Sequence, residues 1–273
     1  MTTKEATQVR SRSCWPYLLR EPETFSRFLP FLSFGVILLL WQWCVSSPDH
    51  ADAVLPGPSA VLRSFWELLR NGTLAKCAVA SLFRVTTGFY LAALAGIPLG
   101  IALGLSETAK RLVGSTIHFL RPISPLAWIP LAMLWFGLGD KPAIFLIFLS
   151  SVFPLVLSTS VAVERIEPTY FQVAANFGFT KWELLSRIIL PAILPSVLTA
   201  LRISLGIAWL VVVAAEMIAV KSGLGYLIID SRNALRMDFV IDGMVVIGAI
   251  GLIVDNIMNR LARRAAVCWN AKR

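Results

Sequence analysis

The 273-residue chain is 57% hydrophobic, only 15% charged, and carries a net charge of +9. Soluble domains carry about 25% charged residues, so this composition excludes an ordinary soluble enzyme or binding module and points to a bilayer. The positive excess reads as Lys and Arg kept on the cytoplasmic side of a membrane, not as a nucleic-acid surface.

In chain order, a tail with Arg10, Arg12, Arg20 and Arg27 precedes an apolar run from Phe28 to Val45. Trp41 and Trp43 close this first predicted span, where amphipathic rings favour the membrane interface. The run ends in WQWCVSSPDH without a small-residue cleavage site and reads as a retained anchor. Pro56, Gly57 and Pro58 make a turn and Ser59 can cap the helix that follows. Val61, Leu62, Phe65, Leu68 and Leu69 recur at helical spacing up to Arg70, as in an amphipathic helix at the outer surface. Further spans are expected over Ala78 to Leu105, His118 to Phe136, Ala143 to Val163, Ile193 to Val220 and Phe239 to Met258. Each is long enough for a hydrocarbon core of about 30 Å. The fold class is all-α, a polytopic membrane protein of about six spanning helices. Its expected layout is a cytoplasmic tail 1–27, a transmembrane domain 28–258 with a cytoplasmic loop 164–190, and a basic tail 259–273.

Six spans place both termini on one side. Sixteen of the 25 Lys and Arg fall in the two tails, the Ser106–Ile117 loop with Arg121, and the Glu164–Leu190 loop; seven fall in the alternate loops. The richer side is cytoplasmic. Two arginines, Arg84 and Arg202, lie inside spans, as does Glu216. A charge in hydrocarbon is costly, so each must face the protein interior or a water-filled path. Arg84 and Glu216 fall at similar depth and can pair. Arg202 has Asp255 as its nearest acidic candidate, and would otherwise suit an anion in a path. Gly88, Ala92, Gly96 and Gly100 form a small-residue stripe for close helix approach, and Ser204 and Gly206 thin the fifth span. Pro122, Pro125 and Pro130 break regular helix in the third. The Ser222–Gly225 turn opens an outer loop to Asp238.

Chemistry of its own is not visible. No G-x-x-x-x-G-K-[ST] occurs, and GLGD at Gly137 to Asp140 lacks the lysine and hydroxyl that would cradle phosphate. His50 and His118 are far apart, and Cys14, Cys44, Cys77 and Cys268 are scattered without metal-ligand spacing. If such a membrane protein moves a solute uphill, the energy must come from a partner or an ion gradient.

The most patterned stretch is Gln172 to Pro191, QVAANFGFTKWELLSRIILP. It reads as a short helix, a glycine stop at Gly178, and a second short helix opened by the capping box Thr180-x-x-Glu183, then Ile188-x-Leu190-Pro191 leading into a span. This resembles the EAA loop of ABC-importer permeases, whose pattern is E-A-A, three residues, G, nine residues, I-x-L-P. Gln172, Val173 and Ala174 take the first three places, with Gln172 for Glu and Val173 for Ala as departures, and Gly178, Ile188, Leu190 and Pro191 keep the register. LPGPSAV from Leu55, RPISPLAWIPLAMLWFGLG from Arg121 and AAEMIAVKSGLGYLI from Ala214 resemble the nitrate/sulfonate/taurine/bicarbonate branch.

The resemblance implies a type I ABC importer transmembrane domain of MetI-like fold in a bacterial inner membrane, with both termini cytoplasmic. It implies two permeases, identical or paralogous, around a path, two ATPase subunits below and a periplasmic or lipid-anchored binding protein above. ATP and Mg would be bound by the ATPase, with no cofactor in this chain. Tyr170, Phe171, Val173, Ala174 and Phe177 would present the face that meets the ATPase, unless the loop only packs on its own domain. The cargo implied is a small oxyanion, although importers of pyrimidine-like vitamin precursors share the branch. Rival readings are an ion-gradient transporter, which needs acidic residues deep in the membrane, a membrane-bound enzyme, which needs a clustered site, and a sensory protein, for which a patterned cytoplasmic loop is needless.

Overall fold

A computed structural model describes residues 56–270, with side chains as far as 262, and scattered positions between 32 and 45. The chain divides into two units, 1–58 and 59–273, and the second is described below. Of the first predicted span, 28–45, ten positions are described and all ten are helical; the other eight lie outside the described residues. Among the described residues the structure is helical, without strands.

Helix α1, Pro58–Arg70, begins on a proline whose fixed φ suits a first helical residue. Ser59, expected as the cap, therefore lies inside the helix. Of the five predicted apolar positions only Leu68 is fully buried, against Leu74 and Leu227. Helix α2, Thr73–Leu105, is the second span. Its small residues are all buried against α5, Asp140–Glu164. A Cβ on Gly88 would sit 2.7 Å from Ile147, one on Gly100 2.6 Å from Thr159, and one on Gly104, a member of the stripe not anticipated, 2.6 Å from Val163. The stripe is a packing seam. Gly100→Ala should therefore cost about 1–3 kcal/mol through overpacking, read as a lowered unfolding midpoint of the chain in detergent. Gly206→Ala, where a Cβ meets nothing within 4 Å, should leave the midpoint unchanged.

The third predicted span is not one straight helix. Helix α3, Glu107–Leu120, opens on the Ser106 cap, so the expected Ser106–Ile117 loop is helical. Pro122 and Pro125 then interrupt the backbone, a 3₁₀ turn spans Pro125–Trp128, and α4 covers Ile129–Phe136 at 89° to α3. Proline removes the N–H that would continue the ladder and clashes with the carbonyl four residues back. Hydropathy alone does not reveal such a break.

After α5, helix α6, Pro168–Asn176, is short. Helix α7 runs without interruption from Lys181 to Ala219, so the second of the two expected short helices is the head of the span itself. Within α7 the stretch Leu185–Ile189 widens into a π turn, the Leu190 N–H reaching back to the Leu185 carbonyl. Pro191 explains it: its ring would collide with the Arg187 carbonyl in a regular helix, and the wider turn relieves the collision. Helix α8, Leu224–Asn233, replaces the expected outer loop, burying Leu224, Gly225, Leu227 and Ser231. Helix α9, Met237–Asn270, holds the last span and continues past 259, where the tail was placed. Among the described residues, four helices, or five if α3 with α4 is one broken span, are long and apolar enough to cross a membrane.

Candidate functional site

The patterned segment folds as its residues dictate. Helix α6 ends in a left-handed Gly178 at φ +66°, a conformation costly for any residue with a Cβ. The Phe179 N–H then donates to the Ala174 carbonyl at 3.0 Å, closing the C-terminus. The capping box is present in both directions: the Glu183 N–H donates to Thr180 Oγ1 at 3.2 Å, and the Thr180 N–H to Glu183 Oε2 at 3.0 Å. The result is a rigid corner at the head of a 39-residue helix.

The faces of that corner differ from the expected contact surface. Ala174 is buried and Phe171 packs beside it against the cluster of Val163, Ile189, Ile193 and Val197. These two hold α6 to its own domain, because positions three apart share a helix face. The outward stripe is Tyr170, Val173 and Phe177, at 50%, 46% and 76% exposure, continued across the corner by Trp182 at 74%. Gln172 is exposed, Ile188 and Pro191 are partly buried, and Leu190 is exposed. Trp182 was missed because it stands outside the EAA register; its spacing after the cap was the signal that could have found it.

On the far side of the fold, Arg84 and Glu216 do pair, Nη1 to Oε1 at 2.5 Å, and both are essentially without solvent exposure. Glu216 also accepts from Ser81 Oγ at 2.8 Å and the Gly225 N–H at 2.9 Å. Arg84 further donates to Asp140 Oδ1 at 2.8 Å, to the Ser222 carbonyl at 2.9 Å and to Ser222 Oγ. Gly223, at φ +104°, leaves no room for a Cβ, which would lie 2.3 Å from the Glu216 carboxyl. Four separate stretches, α2, the start of α5, α7 and the 222–225 turn, thus meet on one buried ion pair. Arg202 also finds its candidate: Nε and Nη2 each donate to Asp255 at 2.8 Å, and Nη1 to Asn259 at 3.2 Å.

A helical body with an apolar corner at one end is a part suited to be moved by something else. Residues 96–267 match the family described as binding-protein-dependent transport system inner membrane component. The chain belongs to this family. It is a permease subunit of an ABC importer and a multi-pass membrane protein. A permease protein of Methanocaldococcus jannaschii is 42% identical over 226 residues, 81% of this chain and 84% of that protein. The taurine transport system permease TauC of Escherichia coli is 34% identical over 85% of this chain and 86% of its own. The bicarbonate transport system permease CmpB of Synechococcus elongatus is 34% identical over 86% and 88%. In fold, the permease resembles the inward-facing MetNI methionine ABC transporter, with a TM-score of 0.62 over 73% of this chain and 96% of the other at 16% identity. A bacterial ABC transporter involved in alginate import gives 0.59 over 88% and 92% at 19% identity.

Proposed function

We propose that this permease carries a small oxyanion inward and that its α6–Gly178–α7 corner is the surface through which ATPase subunits drive it. The carrying observation is the outward stripe of Tyr170, Val173, Phe177 and Trp182 on a corner locked by a glycine and a capping box. Large apolar residues projecting from a charged, water-facing segment mark a protein partner. The Gln172, Gly178, Ile188, Leu190 and Pro191 register supports the ATPase as that partner, and the relatives named for taurine and bicarbonate support the cargo.

In this reading two permeases, identical or paralogous, enclose the path in a bacterial inner membrane, with 28–258 as the transmembrane domain and both termini cytoplasmic. A periplasmic or lipid-anchored binding protein delivers solute from outside. ATP and Mg are held by the ATPase, whose closure draws the two corners together and swings the spans outward-open. The permease supplies path and coupling. The ion-gradient alternative has less support, since Glu216 and Asp255, the acids it relied on, are each engaged by an arginine.

The test is ATP hydrolysis by the permease reconstituted in lipid with its ATPase, with binding protein loaded in turn with nitrate, bicarbonate, taurine and an alkanesulfonate. Stimulation by one loaded form is expected. A permease that neither binds the ATPase nor alters its rate overturns the proposal.

A further inference from the structure

The outward faces of the spanning helices are mostly apolar, with Phe83, Leu91 and Leu94 exposed on α2 and Val245, Leu252 and Ile253 on α9. One strip departs from this. Between α5 and α7 run two hollows, of about 330 and 450 Å³, that share Ala162, Arg165 and Ser196 and so form one groove. Ser158 and Thr199 line its inner part, Arg165 stands at the junction, and Tyr170, Glu167 and Arg187 border the mouth beside α6. All of these side chains are exposed. Arg165, the residue that closes α5, reaches water at the helix end, and the exposed Ser158, Ser196 and Thr199 continue this polar strip inward from it.

The charges along the groove are unequal. The Arg165 N–H closes the end of α5 on the Val161 carbonyl. Its guanidinium is in no ion pair among the described residues, whereas Arg202 is taken by both Asp255 oxygens. Glu167, at the mouth, is the single acid among the groove's lining residues. The last carbonyls of α5 bring partial negative charge to the junction, and a guanidinium there more than offsets it. The Thr199 hydroxyl donates to the Pro195 carbonyl at 3.0 Å, which leaves the Ser158 and Ser196 hydroxyls to donate into the groove, and Arg165 offers five N–H donors in a planar fork. Such a set suits a solute that presents several acceptor oxygens and a negative charge.

We propose that this groove is the permease's share of the inner part of the solute path, and that Arg165, with Ser196, holds and selects a small oxyanion there, beside Thr199. The role considered for Arg202 from sequence belongs to Arg165. The assignment rests on the oxyanion cargo proposed above and adds the residues that would recognise it.

The test uses the assembled complex with its ATPase in liposomes, the four native cysteines replaced by serine and Thr199→Cys introduced. Reaction of the new thiol is followed with a negatively charged sulfonatoethyl and a positively charged trimethylammonioethyl methanethiosulfonate, each rate divided by that with a free thiol. The anionic reagent should be favoured by about tenfold, the scale on which a charged cleft concentrates counter-ions. Arg165→Gln should bring the ratio close to one, and Arg165→Lys should keep most of it. Arg165 is exposed and unpaired, so these replacements remove no internal contact; Ser196→Cys, read in the same way beside the native Arg165, gives a second measurement of the ratio. An unreactive thiol at both positions, or a ratio that ignores Arg165→Gln, overturns the proposal. Uptake of labelled nitrate, bicarbonate, taurine and alkanesulfonate by liposomes in which Arg165 and Ser196 are native separates the two readings. Uptake without charge selectivity overturns the groove alone. Charge selectivity without uptake of any of the four overturns the cargo reading and assigns the groove to another anion.

Discussion

Arg84→Ala should destabilise the permease by about 3–5 kcal/mol, the loss usual when one partner of a buried ion pair is removed. The size follows from what stays behind. Glu216 has no exposure to solvent, and without the guanidinium it keeps only Ser81 Oγ and the Gly225 N–H as donors. Taking an ionised carboxylate out of water costs far more than two neutral hydrogen bonds return. The same change frees Asp140 and Ser222, so the start of α5 and the 222–225 turn lose their common anchor. Adding Glu216→Gln to Arg84→Ala should recover much of the loss, because an amide retains hydrogen bonds and carries no charge. Arg202→Ala is the contrast: its pair with Asp255 is 39% and 53% exposed, and exposed pairs contribute only about 0–1 kcal/mol. Unfolding midpoints in detergent for the three variants decide the matter. An Arg84→Ala midpoint no lower than that of Arg202→Ala, or a double variant no better than Arg84→Ala, would show that the buried pair does not hold these elements together.

Arg84 and Glu216 were legible in the sequence because charges inside apolar runs are few, and depth along two helices matched them. Asp140, Ser81 and Ser222 were not, since each sits where a polar residue needs no explanation: at a helix start, among small residues, or in a turn. The small-residue stripe was readable from its four-residue period, and Gly104 shows that it simply runs on for one more turn. The corner at Gly178 was readable for a different reason. Glycine stops and capping boxes are local chemistry, decided by backbone geometry within a few residues. What local chemistry does not carry is direction. The resemblance placed Phe171 and Ala174 on the contact face with Tyr170, Val173 and Phe177. The 3.6-residue turn and the hydrophobic cluster on Val163 and Ile189 send the first pair inward and the others out. The third span failed for a related reason: a hydropathy window adds residues without regard to the path of the chain, and at Pro122 and Pro125 that path bends by nearly a right angle. Helix α8 was hidden by the same averaging, its buried Leu224 and Leu227 set among polar neighbours. Arg165 went unnoticed because a lone arginine in a cytoplasmic loop is what charge bias leads one to expect. Only the groove beside it gives that arginine something to do.

Val173→Asp with Phe177→Asp should abolish the stimulation of ATP hydrolysis while leaving the unfolding midpoint of the permease unaltered. Both side chains are exposed and neither belongs to the cluster that fixes α6, so the free chain loses little. In contact with a partner the balance reverses. Apolar and aromatic anchors at the centre of an interface are commonly worth 2 kcal/mol or more each, and two new carboxylates would have to be desolvated as well. Together these weaken docking by at least about a hundredfold, since each 1.4 kcal/mol is a factor of ten. Ala174→Asp should act in the opposite way. Its side chain is at 3% exposure, and a carboxylate there should lower the midpoint before any partner is present. Measuring ATPase binding and unfolding on the same preparations separates docking from folding. If the double variant still couples, the outward stripe is not the contact surface, and the inward pair Phe171 and Ala174 must become accessible when the complex assembles. If it binds without stimulating, the stripe transmits movement and the grip lies elsewhere on the corner, with Trp182 the next residue to replace.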